Sequence, residues 1–314
     1  MATNFVVTNL ADWIAANPQK AVEIVILSGK GTKDYFDIES GVKYKTKIPY
    51  ASAVSTDVST GPIAGYKTGS GTTTIKDVTL QNTQLNIFET YTKEQIDKTI
   101  LGPLAKKGTD PSELPVEELV LSLKSKDLFR LNEYYMWQDA STLLLDGGGI
   151  LQQIIDASTY KPSDFGDTDL TTLIDASVVQ LVNAMNTELV QNFPELIGEE
   201  TILAMSPGNF SAYSRAVYSL NGTVSTLTVG ADGKPIVETY LPGTNVKAVS
   251  MIGLNGSNAM VLCEPKNIIQ VVDLVGEDEF VEFIYNPYAR WHELAVQYKL
   301  GVKVVDPARV VMTK

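Results

Sequence analysis

Histidine and cysteine occur once each in the 314 residues, and that scarcity excludes much chemistry. The lone cysteine, Cys263, cannot close an intramolecular disulfide. It ends the apolar run Ala259-Met260-Val261-Leu262-Cys263, where a thiol behaves as a small core hydrophobe, so folding in a reducing compartment is expected. The lone histidine, His292, lies in Arg290-Trp291-His292-Glu293, a stretch of strand texture. With one of each there is no zinc cluster and no Cys/His dyad. The G-x-S-x-G elbow is missing. Gly29-Lys30-Gly31-Thr32 lacks the spacing by which backbone amides wrap a phosphate, and no G-x-G-x-x-G replaces it. No cofactor, metal or catalytic residue is expected. Carboxylates are plentiful, which keeps an acid-pair hydrolase open as a rival. Glu277-Asp278-Glu279 nevertheless reads more simply as a solvated turn.

Basic charge is also short. The 25 lysines and arginines face 37 acids, a net charge of −12, the wrong sign for coating nucleic-acid phosphates in bulk. Long apolar runs are absent: stretches such as Ile24 to Leu27 cannot span a bilayer. The N-terminus shows no cationic segment followed by an apolar core, so no signal peptide is expected. An apolar content of 44% is ample for a sizeable core, and the length suggests about two domains.

What is present changes texture in order along the chain. Residues 1 to about 40 mix a short helix candidate with the sticky run Ala21 to Leu27, and look like a peripheral arm. From 41 to about 92, Thr and Ser abound and polarity alternates. Tyr44, Thr46 and Ile48 interleave with lysines on one side of a tip carrying Gly61, Gly65, Gly69 and Gly71. Thr74, Lys76, Val78, Leu80, Asn82 and Gln84 follow on the other. Two half-polar extended arms about a glycine-rich tip predict a long β-hairpin. Such a ribbon has little core of its own and needs something to lie on.

Lys43, Lys45 and Lys47 fall on alternate positions and share one face of a strand. They read either as a solvated edge that discourages mispairing or as a contact with an acidic neighbouring subunit.

From Pro115 to about Leu145 the period becomes helical. Val116, Leu119, Val120 and Leu123 mark a stripe that Leu128 and Leu131 continue, with Glu117 and Glu118 in the first turn. Up to thirty residues would make a helix roughly 45 Å long. Gly147, Gly148 and Gly149 then suit a left-handed cap and a hinge.

The block 167–263 is an α/β mixture. Leu170 to Leu189 keep helical spacing, Thr201 to Met205 form a strand, and Ser206-Pro207 cap a helix that Asn221-Gly222 stops. Two strands, Val246 to Ile252 and Ala259 to Cys263, are joined through Asn255-Gly256, a hairpin signal. The last fifty residues are nearly all strand.

This succession of arm, polar hairpin, long helix, glycine hinge, α/β block and terminal strands resembles the Hong Kong 97-type fold of tailed-bacteriophage major capsid proteins. The passages Thr201-Ile202-Leu203-Ala204-Met205-Ser206-Pro207-Gly208-Asn209-Phe210, Glu264-Pro265-Lys266-Asn267 and Gly301-Val302-Lys303-Val304-Val305-Asp306-Pro307 are similar to that family's strand–turn–helix, Pro-x-Asn exit and closing strands. The resemblance implies an α+β fold with an N-terminal arm (1–40), an E-loop (41–92) and a peripheral domain (93–166 and 264–314) whose spine helix covers about 115–145. The axial domain would be 167–263. It further implies a structural subunit that assembles into hexamers and pentamers around double-stranded DNA without reading its sequence, with portal, scaffolding and decoration proteins as partners.

The residues expected at inter-subunit contacts are Lys43, Lys45, Lys47, Gly61, Gly69, Gly71, Ile24 and Ile26. About forty residues before the hairpin leave no room for a large fused scaffold. The same fold admits an encapsulin-type compartment, and another virion protein is the remaining structural rival.

Overall fold

The computed structural model describes residues 31–42, 45–55, 72–92, 116–140, 145, 147–159, 161–162, 175–194, 196, 199–221, 227–229, 235–237, 239–241, 244–273, 280–286 and 291–313. In chain order the elements are β1 (Asp37–Ser40), β2 (Lys45–Ser55), β3 (Thr72–Gln81), β4 (Thr83–Thr92), α1 (Val116–Gln138), α2 (Ile150–Ala157), β5 (Lys161–Pro162) and α3 (Asp175–Asn192). There follow β6 (Thr201–Met205), α4 (Pro207–Asn221), β7 (Leu227–Val229), β8 (Pro235–Val237), β9 (Thr239–Tyr240) and β10 (Val246–Ser250). The last are β11 (Val261–Cys263), β12 (Ile268–Val272), β13 (Phe280–Asn286), β14 (Trp291–Val304) and β15 (Val311–Met312).

Two sheets organise the chain. In the first, β14 is the hub, antiparallel to β12, β13 and β4, while β1 lies parallel to β12 at the margin. Alternation along β14 buries Leu294, Val296, Tyr298, Leu300, Val302 and Val304 in one cluster with Trp137 and Met136 of α1 and Ile150 and Ile154 of α2. The second sheet has the order β5-β15-β11-β6-β10-β9. Every residue of β6 is buried, as expected of a strand covered on both faces. Ile202 and Ala204 face the cluster under α1. Leu203 and Met205 face α3 and α4, where Val178, Leu181, Met185 and Leu189 continue the predicted stripe. Proline opens α4, and the Asn209 backbone N–H donates to the Ser206 hydroxyl at 3.3 Å, so the expected cap is borne out.

Several expectations need correction. Asn255-Gly256 does not close a hairpin, because β6 lies between β10 and β11, parallel to the first and antiparallel to the second. The link instead dips through a short 3-10 turn (Ile252–Leu254) under α1. There a side chain on Gly253 would strike the backbone of Glu133 and the Trp137 ring. The Gln138 amide donates to the carbonyls of Gly253 and Asn255. Close helix approach, not turn chemistry, shapes this loop.

The long helix ends at Gln138, well short of the glycines. Leu128 is buried as expected, but Leu131 is 41% exposed, and Ser125, Leu128, Phe129, Asn132, Glu133, Met136 and Trp137 form the buried stripe. Polar residues at inward positions disguised its phase. At the end of the chain, β15 lies outside the first sheet. It joins the second, pairing with β11 and β5.

Candidate assembly surface

The predicted hairpin exists as β2 and β3, paired antiparallel from Lys45↔Gln81 to Ser55↔Thr72 with a register shift between Ala51 and Ala53. Its second arm does not stop at the root. Past Asn82 it becomes β4 and enters the first sheet against β14, so one nearly continuous strand is both ribbon and sheet.

The ribbon's two faces differ. Val78 and Leu80 are buried with Val42 and Val271, and Ile48, Tyr50, Ile269 and Val305 pack around them. The root therefore lies on its own subunit. Burial, helped by the nearby Asp306 charge, pushes the Tyr50 hydroxyl up. Gly301 makes this contact possible, since a side chain there would collide with the Gln81 carbonyl. The Asn82 amide donates to the Val42 carbonyl. On the same side of the sheet Lys299 and Asp273 form an ion pair at 3.4 Å, with side chains 4% and 0% exposed.

The opposite face is open. Lys45 and Lys47 are exposed, and Ile75, toward the tip, is 67% exposed. Along β4 burial alternates, with the odd-numbered residues half-buried. Leu85, Ile87 and Tyr91 pack on the core, whereas Phe88 on the other face is 65% exposed. Burial alone would raise the Glu89 carboxyl, but hydrogen bonds from Lys124 and Tyr91, with the Lys124 charge, hold it below the usual range. Lys124 sits 2.7 Å from Glu89 and ties α1 to β4.

A second anchor fixes the point where residues 31–36 meet α1. Thr32 donates its backbone N–H (2.9 Å) and its hydroxyl (2.7 Å) to the two oxygens of Glu133. The Trp137 indole donates to the same hydroxyl at 2.8 Å. Because indole nitrogen can only donate, the hydroxyl proton must go to the carboxylate. Glu133 and Trp137 carry no sequence motif, and Thr32 ends the stretch Gly29-Lys30-Gly31-Thr32 that fails as a phosphate loop.

Of the residues predicted from sequence, Lys43, Gly61, Gly69, Gly71, Ile24 and Ile26 lie outside the described residues. Lys45 and Lys47 share the outward face of β2. Gly147 and Gly148 have φ of +92° and +74°, the left-handed conformation expected. The hinge expectation meets a close-packed joint: Gly148 and Gly149 are buried. Gly149 N–H donates to the Asp139 carbonyl at 2.8 Å, Leu145 N–H donates to the Asp139 carboxylate at 2.9 Å, and a Gly149 side chain would lie 2.7 Å from the Asp139 nitrogen. Cys263 is fully buried among core residues, and burial pushes its thiol up. His292 falls in β14, opposite Tyr285 and Tyr91. No group of three His, Cys, Asp or Glu side chains among the described residues could hold a metal ion. No helix among them is long and apolar enough to cross a membrane.

No protein-family model matches the chain, and no curated protein matches it. Solved structures do. The satellite phage P4 procapsid with its size determination protein superposes with a TM-score of 0.53 at 14% identity, covering 100% of this chain and 92% of that one. The capsid of an empty GTA particle gives 0.57 at 10% identity over 91% and 90%. A structure from Mycobacterium phage Bobi gives 0.54 at 12% identity over 96% and 98%. Near-complete coverage in both directions means that the whole layout is shared, not one motif. The chain has the α+β fold of phage capsid subunits.

Proposed function

We propose that this chain is the major capsid protein of a tailed bacteriophage, a structural subunit that assembles with copies of itself into an icosahedral shell around double-stranded DNA. The observation that carries the reading is end-to-end agreement with capsid structures. The shape of the hairpin supports it independently. Its root has a private core, but its outward face leaves Ile75 bare, and in the adjoining strand β4 Phe88 is bare as well; apolar side chains this exposed are accounted for when a neighbour covers them.

In this reading residues 1–40 are the N-terminal arm and 41–92 the E-loop, which contains β2 and β3. The peripheral domain is 93–166 and 264–314, with α1 as its spine helix, and the axial domain is 167–263, with β6, α3 and α4. Hexamers and pentamers tile the shell, with portal, scaffolding and decoration proteins as partners. The acidic chain encloses DNA without attracting it, which is workable when a motor drives the genome in.

Expression of the chain alone or with its genomic neighbours, followed by negative-stain microscopy, tests this. Closed shells are expected, and in the native particle they hold DNA. Shells that hold a cargo enzyme and no genome would assign the fold to a compartment instead. A monomer that never assembles with any neighbouring product would overturn the shell reading.

A further inference from the structure

The subunit carries two short charged edges that match each other and not themselves. β1 presents Asp37 and Glu39, and β2 presents Lys45 and Lys47; all four are exposed. None of the four forms an ion pair with another described residue. In each strand the two charges are separated by one residue, so they share a face and stand about 6.8 Å apart. The outer edges of both strands are also free of any partner strand among the described residues, since β1 ends its sheet and β2 pairs only with β3. By register Asp37 and Glu39 lie beside Ile269 and Val271, on the side of the sheet where the hairpin root packs. The nearest described cation across that row is Lys303, beyond Ile269.

Resting on the shell-forming reading, we propose that the β1 edge of one subunit receives the β2 edge of a second copy, with Lys45 and Lys47 paired to Asp37 and Glu39. The occupant is another copy of this chain because the two motifs are complementary in sign and equal in repeat. Directly opposed unlike charges stabilise a strand pair, and like charges disfavour it. The contact is heterologous, edge to a different edge, so repetition closes rings or shells rather than stopping at a dimer. Unpaired charge on each edge also keeps isolated subunits from pairing edge to edge with themselves.

Charge reversal tests this. K45E/K47E and D37K/E39K should each remain folded by circular dichroism and each lose shells by sedimentation and microscopy. The four-fold variant that reverses both sets should recover them. One reversed pair makes the chain more acidic and the other less, so a general effect of net charge would move assembly in opposite directions. Loss in both with recovery in the combination supports the pairing. Normal shells from either reversed pair, or no recovery in the four-fold variant, would overturn it while leaving the shell reading intact. If the unaltered chain, prepared alongside, forms no shells, it is the shell reading that fails, and the pairing with it.

Discussion

Glu133, in the middle of the buried stripe of α1, accepts two hydrogen bonds from Thr32, which lies 101 positions earlier. Only 1% of Glu133 is exposed, and a carboxylate so placed is costly unless it is paired. It has no cation within ion-pair distance among the described residues. The polar partners come instead from one threonine whose hydroxyl is itself oriented by Trp137. The arrangement ties the buried Gly31, Thr32 and Phe36 to the core.

Burial raises the Glu133 pKa, against the opposing hydrogen bonds from Thr32. The folded chain therefore holds this proton more tightly than the unfolded chain does. Relative to Glu133→Gln, which does not titrate, the unaltered protein should gain stability as pH falls from its raised folded-state value toward the ordinary carboxyl value of 4.5. Below that value the difference should be flat. Urea unfolding of both proteins across this range measures it. A gap that moves the other way would mean that the Thr32 hydrogen bonds outweigh desolvation. Glu133→Ala, which orphans two buried donors, should cost roughly 1–3 kcal/mol for each.

Gly301→Ala should loosen the hairpin root without unfolding the sheet. The added methyl meets the Gln81 backbone carbonyl, which cannot swing aside as a side chain would. Overpacking of this kind costs about 1–3 kcal/mol. Amide exchange should rise at Val78 and Leu80 more than at β6. Uniform exchange across both sheets would show that the close approach is not what seats the ribbon.

Cys263 should be inert to thiol reagents in the native protein and should react at once in denaturant. Its side chain is fully buried and burial disfavours the thiolate, the form that reacts. Labelling under native conditions at a rate near that of a free thiol would show that the second sheet opens.

Sequence legibility followed local determinism. Period announced α3 and both hairpin arms, and the Ser206-Pro207 cap announced α4, because each rests on residues within a few positions. The phase of α1 was hidden: Asn132 and Glu133 are polar yet inward, their partners Tyr298 and Thr32 being far away in the chain, while Leu131 is apolar yet exposed. Asn255-Gly256 has the right residues for a hairpin, but the sheet inserts β6 between the flanking strands. That is a pairing no local rule records. Val311 and Met312 fit either sheet by texture; long-range ladders place them beside β11 and β5. Of the assembly surface, alternation revealed the face of Lys45 and Lys47, whereas the exposure of Ile75 and Phe88 needed the fold.

Ile75→Asp should separate folding from assembly. At 67% exposure the side chain contributes little within the subunit, and substitutions at such positions usually shift stability by no more than about 0.5 kcal/mol. A carboxylate buried without a partner under a neighbouring subunit would instead cost several kcal/mol for each contact, repeated at every copy in a shell. Thermal unfolding of the unassembled subunit should therefore be unchanged while shells disappear from sedimentation profiles. Ile75→Val should keep them, because it preserves the apolar contact. Normal shells from the Asp variant would show that this stretch of the ribbon faces solvent in the particle, and that the hairpin grips its neighbour through some other part of its length.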